Sequence, residues 1–142
     1  MIRIAVAQTD AELARCFAVM AELRAHLTLD SFAAQVKRQR ECCGYQLIYL
    51  EDAGAVRAVA GFRVSECLAW GKFLYVDDLV TAHDERSKGY GDALFEWLLH
   101  HAKEQDCDQL HLDSGVQRFR AHRFYFRKRL AITSYHFAMK LK

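Results

Sequence analysis

Apolar and polar positions change period several times along this 142-residue chain, and each change marks an element. Residues 2–6 alternate like a short strand. Thr9 and Glu12 then form a capping-box pattern that opens a helix, with Leu13, Phe17, Met20 and Arg24 at helical spacing and Arg24 beginning its exposed end. A second helix is expected from Asp30-Ser31, with Phe32, Ala33 and Val36 on one face and Gly44 as its stop. Residues 25–29 join the two as a loop with two apolar anchors, Leu27 and Leu29. Residues 45–51 and 55–66 are strand-like, and Asp52-Ala53-Gly54 between them has the length and the glycine of a hairpin turn. Residues 72–81 form the next strand.

From Tyr90 the residues Ala93, Leu94, Trp97, Leu98 and Ala102 recur at helical spacing, and the strand pattern resumes over 109–114 after a polar break. Strand, helix and strand in this compass make a βαβ unit. A right-handed crossover would set strands 72–81 and 109–114 parallel, with the turn before the helix at their C-terminal edge, where open α/β sheets bind ligands. A last helix is expected over 118–129, with Ala121, Phe124 and Tyr125 on one face, and a closing strand over 132–139. Pattern alone gives one α/β or α+β domain spanning 1–142, large enough for a real core.

Composition narrows the compartment. The chain is 52% hydrophobic, without proline, and no apolar run approaches a bilayer span, so a soluble, cytoplasmic protein with no membrane partner is expected. Five scattered cysteines lack the paired spacing of zinc or redox motifs, which leaves no metal expected. Charge is uneven: Ser114 to Lys142 holds eight Lys and Arg and no Asp or Glu, leaving twelve basic against eighteen acidic residues before it. A basic end suits phosphates or nucleic acid, and an acidic remainder suits a cationic amine.

Candidate chemistry starts in the turn before the long helix, Arg86-Ser87-Lys88-Gly89-Tyr90-Gly91. Two glycines one residue apart permit a tight turn and close backbone approach, and the first amides of the following helix have no intrahelical acceptor. Arg86 and Lys88 add full positive charge. A dinucleotide fingerprint would require a third glycine where Leu94 stands, and a nucleotide-triphosphate loop would require Gly-Lys-Ser/Thr. A phosphorylated ligand of another kind is indicated.

This loop resembles the R/Q-x-x-G-x-G/A signature of the GNAT superfamily of acyl-CoA-dependent N-acyltransferases. Residues 75–81 precede it at the distance of that family's fourth strand, and Ala121-His122-Arg123-Phe124-Tyr125 matches the family's A-x-x-F/L-Y. The likeness covers most of the chain and is thinnest in the first forty residues. It implies a mixed, mostly antiparallel sheet flanked by helices around the central βαβ unit. It also implies acetyl-CoA as co-substrate, held by Arg86, Ser87, Lys88, Gly89, Tyr90 and Gly91 at the pyrophosphate and by main-chain atoms of Leu79, Val80 and Thr81 along the strand. Two departures stand out: Arg118 replaces a frequent asparagine, and Lys128-Arg129-Leu130 lacks the usual glycine after the last helix.

Acyl transfer to an amine needs a proton acceptor and a proton donor. Tyr125 falls at the family's general-acid position, and a phenol keeps its proton at neutral pH. Asp77 and Asp78 are adjacent, so their side chains leave opposite strand faces unless a bulge intervenes, and Asp78 is the narrower choice for the base. His83, His111 and Asp113 rank behind them, with His111 and Asp113 on one strand face. The acceptor is expected to be a small-molecule or protein amine, with the 25–29 loop as part of its wall. The oligomeric state stays open, although an exposed terminal strand could pair with another subunit to give a homodimer. Two other readings stay open: a non-catalytic acyl-CoA sensor, and, ranked last, a nucleic-acid module using the basic residues of 118–129.

Overall fold

The computed structural model describes all 142 residues, which form two compact units, Met1–His111 and Leu112–Lys142. The first unit opens with β1 (Ile2–Val6), α1 (Asp10–Leu23) and α2 (Leu29–Cys43). There follow β2 (Gln46–Asp52), β3 (Ala55–Cys67), β4 (Gly71–Thr81), a short 3-10 turn at His83–Glu85 and α3 (Tyr90–Glu104). β5 (Gln109–Leu112) closes the sheet, whose order is β1-β2-β3-β4-β5. The first four strands pair antiparallel in sequence, so the sheet is a mostly antiparallel meander.

Both faces of the sheet are covered, which explains why Leu47, Ile48, Tyr49 and Leu50 are all buried in place of a half-polar alternation. Leu47, Tyr49, Val59 and Val80 join one cluster with Leu13, Cys16 and Met20 of α1 and Phe32 and Val36 of α2. α3 packs on β2, β3 and β4 with Leu94, Phe95, Leu98 and Ala102 buried, and its Trp97 ring lies 5.8 Å from Phe62.

Local chemistry sets the element ends. Thr9 and Glu12 form a complete capping box at α1, and Thr28 with Ser31 forms another at α2. The second box starts α2 one residue earlier than the Asp30 expectation and takes Leu29 into the helix, where it is exposed. Only Leu27 of the expected pair of loop anchors packs against the core. Gly44 ends α2 at φ 69°, and the β2–β3 turn places Ala53 and Gly54 at φ 53° and 78°, the doubly left-handed pair of a tight hairpin.

In the second unit, α4 runs over Phe119–Arg127. Its end substitutes for the missing glycine: Arg129 takes φ 67°, Leu130 N–H donates to Tyr125 O at 3.0 Å and Arg129 N–H to Phe126 O at 2.9 Å. This is a Schellman closure made with an arginine, at a cost of about 1 kcal/mol for the left-handed conformation. The closing strand expected over 132–139 is not formed. The apolar alternation is present, but Ile132, Tyr135, Phe137 and Met139 stand 74–92% exposed and no strand of the chain pairs with them. An alternating segment becomes a strand only where a ladder partner takes its backbone groups. No helix is long and apolar enough to cross a membrane.

Glu12 makes the α1 cap sensitive to acid. Its carboxylate accepts from Thr9 N–H (3.0 Å), the Tyr49 hydroxyl (2.9 Å) and Gln8 N–H (3.1 Å), which lowers its pKa from 4.5 to about 2. The stabilisation this provides is fully present above pH 4.5 and is lost as pH falls through about 2. Glu12→Gln should therefore flatten the fall in stability between those limits, read by urea unfolding at several acidic pH values. An unchanged slope would remove Glu12 from the acid transition.

Candidate active site

The site is organised on β4, where the strand carries an extra residue. Asp78 faces Gly61 and Val76 faces Phe62, so Asp77 is the unpaired residue of a bulge against β3. The bulge is the condition under which two adjacent aspartates escape strict alternation, and each has its own partner. Asp77 is forked by Arg63, Nε to Oδ2 at 2.8 Å and Nη2 to Oδ1 at 3.1 Å. Arg63 in turn lies over the Tyr75 ring at 5.0 Å.

Asp78 is held from two other directions. Arg24, at the end of α1, donates from Nε to Asp78 Oδ1 at 2.9 Å and from Nη2 to Asp77 O at 2.9 Å. The Tyr45 hydroxyl donates to Asp78 Oδ2 at 2.7 Å. Burial first, and then the Asp78 charge, pushes the Tyr45 phenol well up, so it stays the donor. Tyr45 reaches Asp78 because residue 61 is glycine: a Cβ there would overlap the phenol oxygen and ring. Sequence reasoning passed over Arg24, Tyr45, Gly61 and Arg63. Two signals were available, an arginine continuing the apolar stripe of α1 and a lone glycine inside an apolar strand.

Beside this network lies a cavity of about 300 Å³, walled by Met20, Arg24, His26, Leu27, Phe32, Gln35, Val36, Gln39, Tyr45 and Asp78. The 25–29 loop expected on the acceptor side contributes His26 and Leu27 to it.

β4 ends at Thr81, with Val80 buried in the core and Leu79, Val80 and Thr81 opposite Ala60, Val59 and Ala58. Beyond it, Ala82 N–H is fixed to Arg57 O (2.8 Å) and His83 N–H to Glu22 Oε1 (2.8 Å). Ser87 and Gly89 then take left-handed φ of 68° and 84°. Gly89 caps α3 without a side-chain hydrogen bond, and a Cβ placed on it would meet nothing within 4 Å. A left-handed glycine with open space before it thus leads into α3, and a helix start of this kind is suited to an anion.

The charges around it are partly spent within the protein. Lys88 Nζ binds Glu85 Oε2 at 2.7 Å and Arg57 Nη1 binds Glu85 Oε1 at 3.0 Å, which lowers the Glu85 pKa and raises that of Lys88. Arg86 is exposed. Tyr90 is buried, and its hydroxyl donates to Asp52 Oδ2 at 2.7 Å, so its side chain anchors α3 to the β2–β3 hairpin and only its backbone is left for a ligand. Gly91 lies in the first turn of α3.

The sequence and the fold match known proteins. The model of the acetyltransferase (GNAT) family fits residues 8–130. This chain belongs to that family. An uncharacterised N-acetyltransferase from Bacillus subtilis, YhdJ, is 33% identical over 125 residues, 88% of each chain. Among solved structures, a transcriptional regulator from Bacillus halodurans superposes with a TM-score of 0.87 at 19% identity, over 99% of this chain and 100% of that one. An aminoglycoside N-acetyltransferase in complex with CoA superposes with a TM-score of 0.85 at 9% identity, over 99% and 94%. The GNAT chain described here is an acyltransferase with the family's mixed α/β fold.

In the second unit of this GNAT protein, Tyr125 lies on α4, its ring 5.7 Å from that of Phe124. Burial raises its phenol pKa, against a lowering by the charge and hydrogen bond of Arg118. Of the second-rank candidates, His111 stacks on Trp70 at 3.5 Å and shares a 2.6 Å hydrogen bond with Gln109. Asp113 pairs with His136 at 3.4 Å.

Gly61→Ala tests the packing behind Asp78. The new methyl cannot coexist with the buried Tyr45 ring as placed, so the variant should lose about 1–3 kcal/mol of stability in urea unfolding. Full wild-type stability would show that Tyr45 does not lie across Gly61.

Proposed function

We propose that this acyltransferase moves an acetyl group from acetyl-CoA to a primary amine by direct attack, without a covalent enzyme intermediate. The observation that carries this reading is the cradle at Gly89, left-handed, uncapped and open, at the C-terminal end of the strand that also bears Asp78. Arg86, Ser87, Lys88, Gly89, Tyr90 and Gly91 would hold the pyrophosphate through backbone amides, with Arg86 supplying exposed positive charge. Main-chain atoms of Leu79, Val80 and Thr81 would align the co-substrate and polarise the thioester carbonyl.

Asp78 is the proposed base. Both of its oxygens already accept hydrogen bonds, so it takes a proton from an ammonium once Arg24 yields its place. The amine nitrogen bonds to the acyl carbon as the carbon–sulfur bond breaks, and sulfur leaves with the electron pair. Tyr125 gives that thiolate a proton, and the amine loses two protons in all, one replacing that on Tyr125 and one reaching solvent through Asp78.

Tyr125→Phe removes the hydroxyl and keeps the ring. Under saturating acetyl-CoA with a working amine, thiol release should slow by about one hundred to ten thousand fold while acetyl-CoA affinity holds in calorimetric titration. Undiminished thiol release would reject Tyr125 as the acid.

A further inference from the structure

The acceptor cavity has two chemically distinct parts. Met20, Leu27, Phe32 and Val36 give it an apolar side, and the Arg24–Asp78 ion pair gives it a polar one. The Arg24 side chain is 41% exposed and that of Asp78 is 13% exposed. Arg24 commits Nε and Nη2 to β4, which leaves Nη1 and further N–H groups of the guanidinium for another acceptor. At about 300 Å³ the cavity is at the small end of ligand sites, the size for a small molecule.

Asp78 is the one carboxylate in the cavity wall, and Arg24 sits on it. An ammonium entering alone must displace the guanidinium and leave that charge uncompensated in a partly buried place, which is costly. An amine that carries its own carboxylate one carbon away avoids this: its carboxylate takes Arg24, its ammonium takes Asp78, and one ion pair becomes two with no charge stranded.

We infer that the acceptor is a free α-amino acid with an apolar side chain, its carboxylate bound by Arg24, its ammonium by Asp78 and its side chain by Met20, Leu27, Phe32 and Val36. This rests on the acetyltransferase reading for turnover, but the binding it requires does not. Arg24 is then a specificity residue, and the same exchange that recognises the substrate carboxylate uncovers Asp78 for the ammonium proton. A peptide N-terminus lacks the adjacent carboxylate and is discriminated against.

The test pairs each acid with its neutralised or decarboxylated counterpart, leucine with leucinamide and isoamylamine, and phenylalanine with phenethylamine. Calorimetric binding and thiol release from acetyl-CoA are measured for the wild type, Arg24→Gln and Arg24→Lys. The wild type should favour at least one acid over its counterparts by about a hundredfold in affinity and in kcat/KM. Arg24→Gln should abolish that ratio and Arg24→Lys retain part of it, with acetyl-CoA affinity unchanged in both as evidence of folding. Counterparts that bind the wild type as well as the acids, or acids that bind neither better nor at all, overturn the inference. So does an acid preference that survives in Arg24→Gln. Acids that bind through Arg24 yet release no thiol uphold the site and overturn acetyl transfer instead.

Discussion

One carboxylate ties the chemistry of the first unit together. Asp78 accepts from Arg24 at the end of α1 and from Tyr45 just before β2, so two segments distant in sequence converge on β4. A carboxylate set this deep needs hydrogen-bonded partners, and removing either would strand the charge. The geometry depends on two further features of β3 and β4. The bulge at Asp77 lets the two aspartates take separate arginines, and Gly61 leaves the space that the Tyr45 ring occupies. Because Arg24 also holds Asp77 O, the same network fixes the end of α1, and with it the start of the loop that walls the cavity.

A second network stands beyond the C-terminal end of the same strand. Glu85 gathers Arg57 and Lys88, while Tyr90 ties the start of α3 to Asp52. These bonds fix the segment on either side of Gly89, which caps α3 with no side-chain hydrogen bond of its own. A fixed turn ahead of a helix N-terminus is an arrangement that binds an anion with little reorganisation. Of the two basic residues of the turn, both exposed, Lys88 is tied to Glu85.

Most of the element order was legible in the sequence because period and punctuation agreed, as with the Thr9–Glu12 box, Gly44 and the turn at Ala53-Gly54. The glycine loop was legible for the same reason, since glycine at a left-handed position is a local requirement. The Asp78 network was not. Its members are joined only by tertiary contact, and Arg24 read as a helix end entering solvent, although it lay on the apolar stripe. Residues 132–139 misled in the opposite direction, because alternation records what a segment is suited to pair with and says nothing of whether a partner strand is present. The left-handed Arg129 shows the converse, a local preference overridden by a helix closure that the fold imposes.

The proposed transfer depends on an acyl donor site beyond the C-terminal end of β4, built on the backbone around Gly89. A crystal structure of the acetyl-CoA complex tests it most directly. The pyrophosphate should lie within hydrogen-bond distance of the amides of residues 89–91, with the Tyr45–Asp78 bond intact. A pyrophosphate bound away from these amides would contradict it.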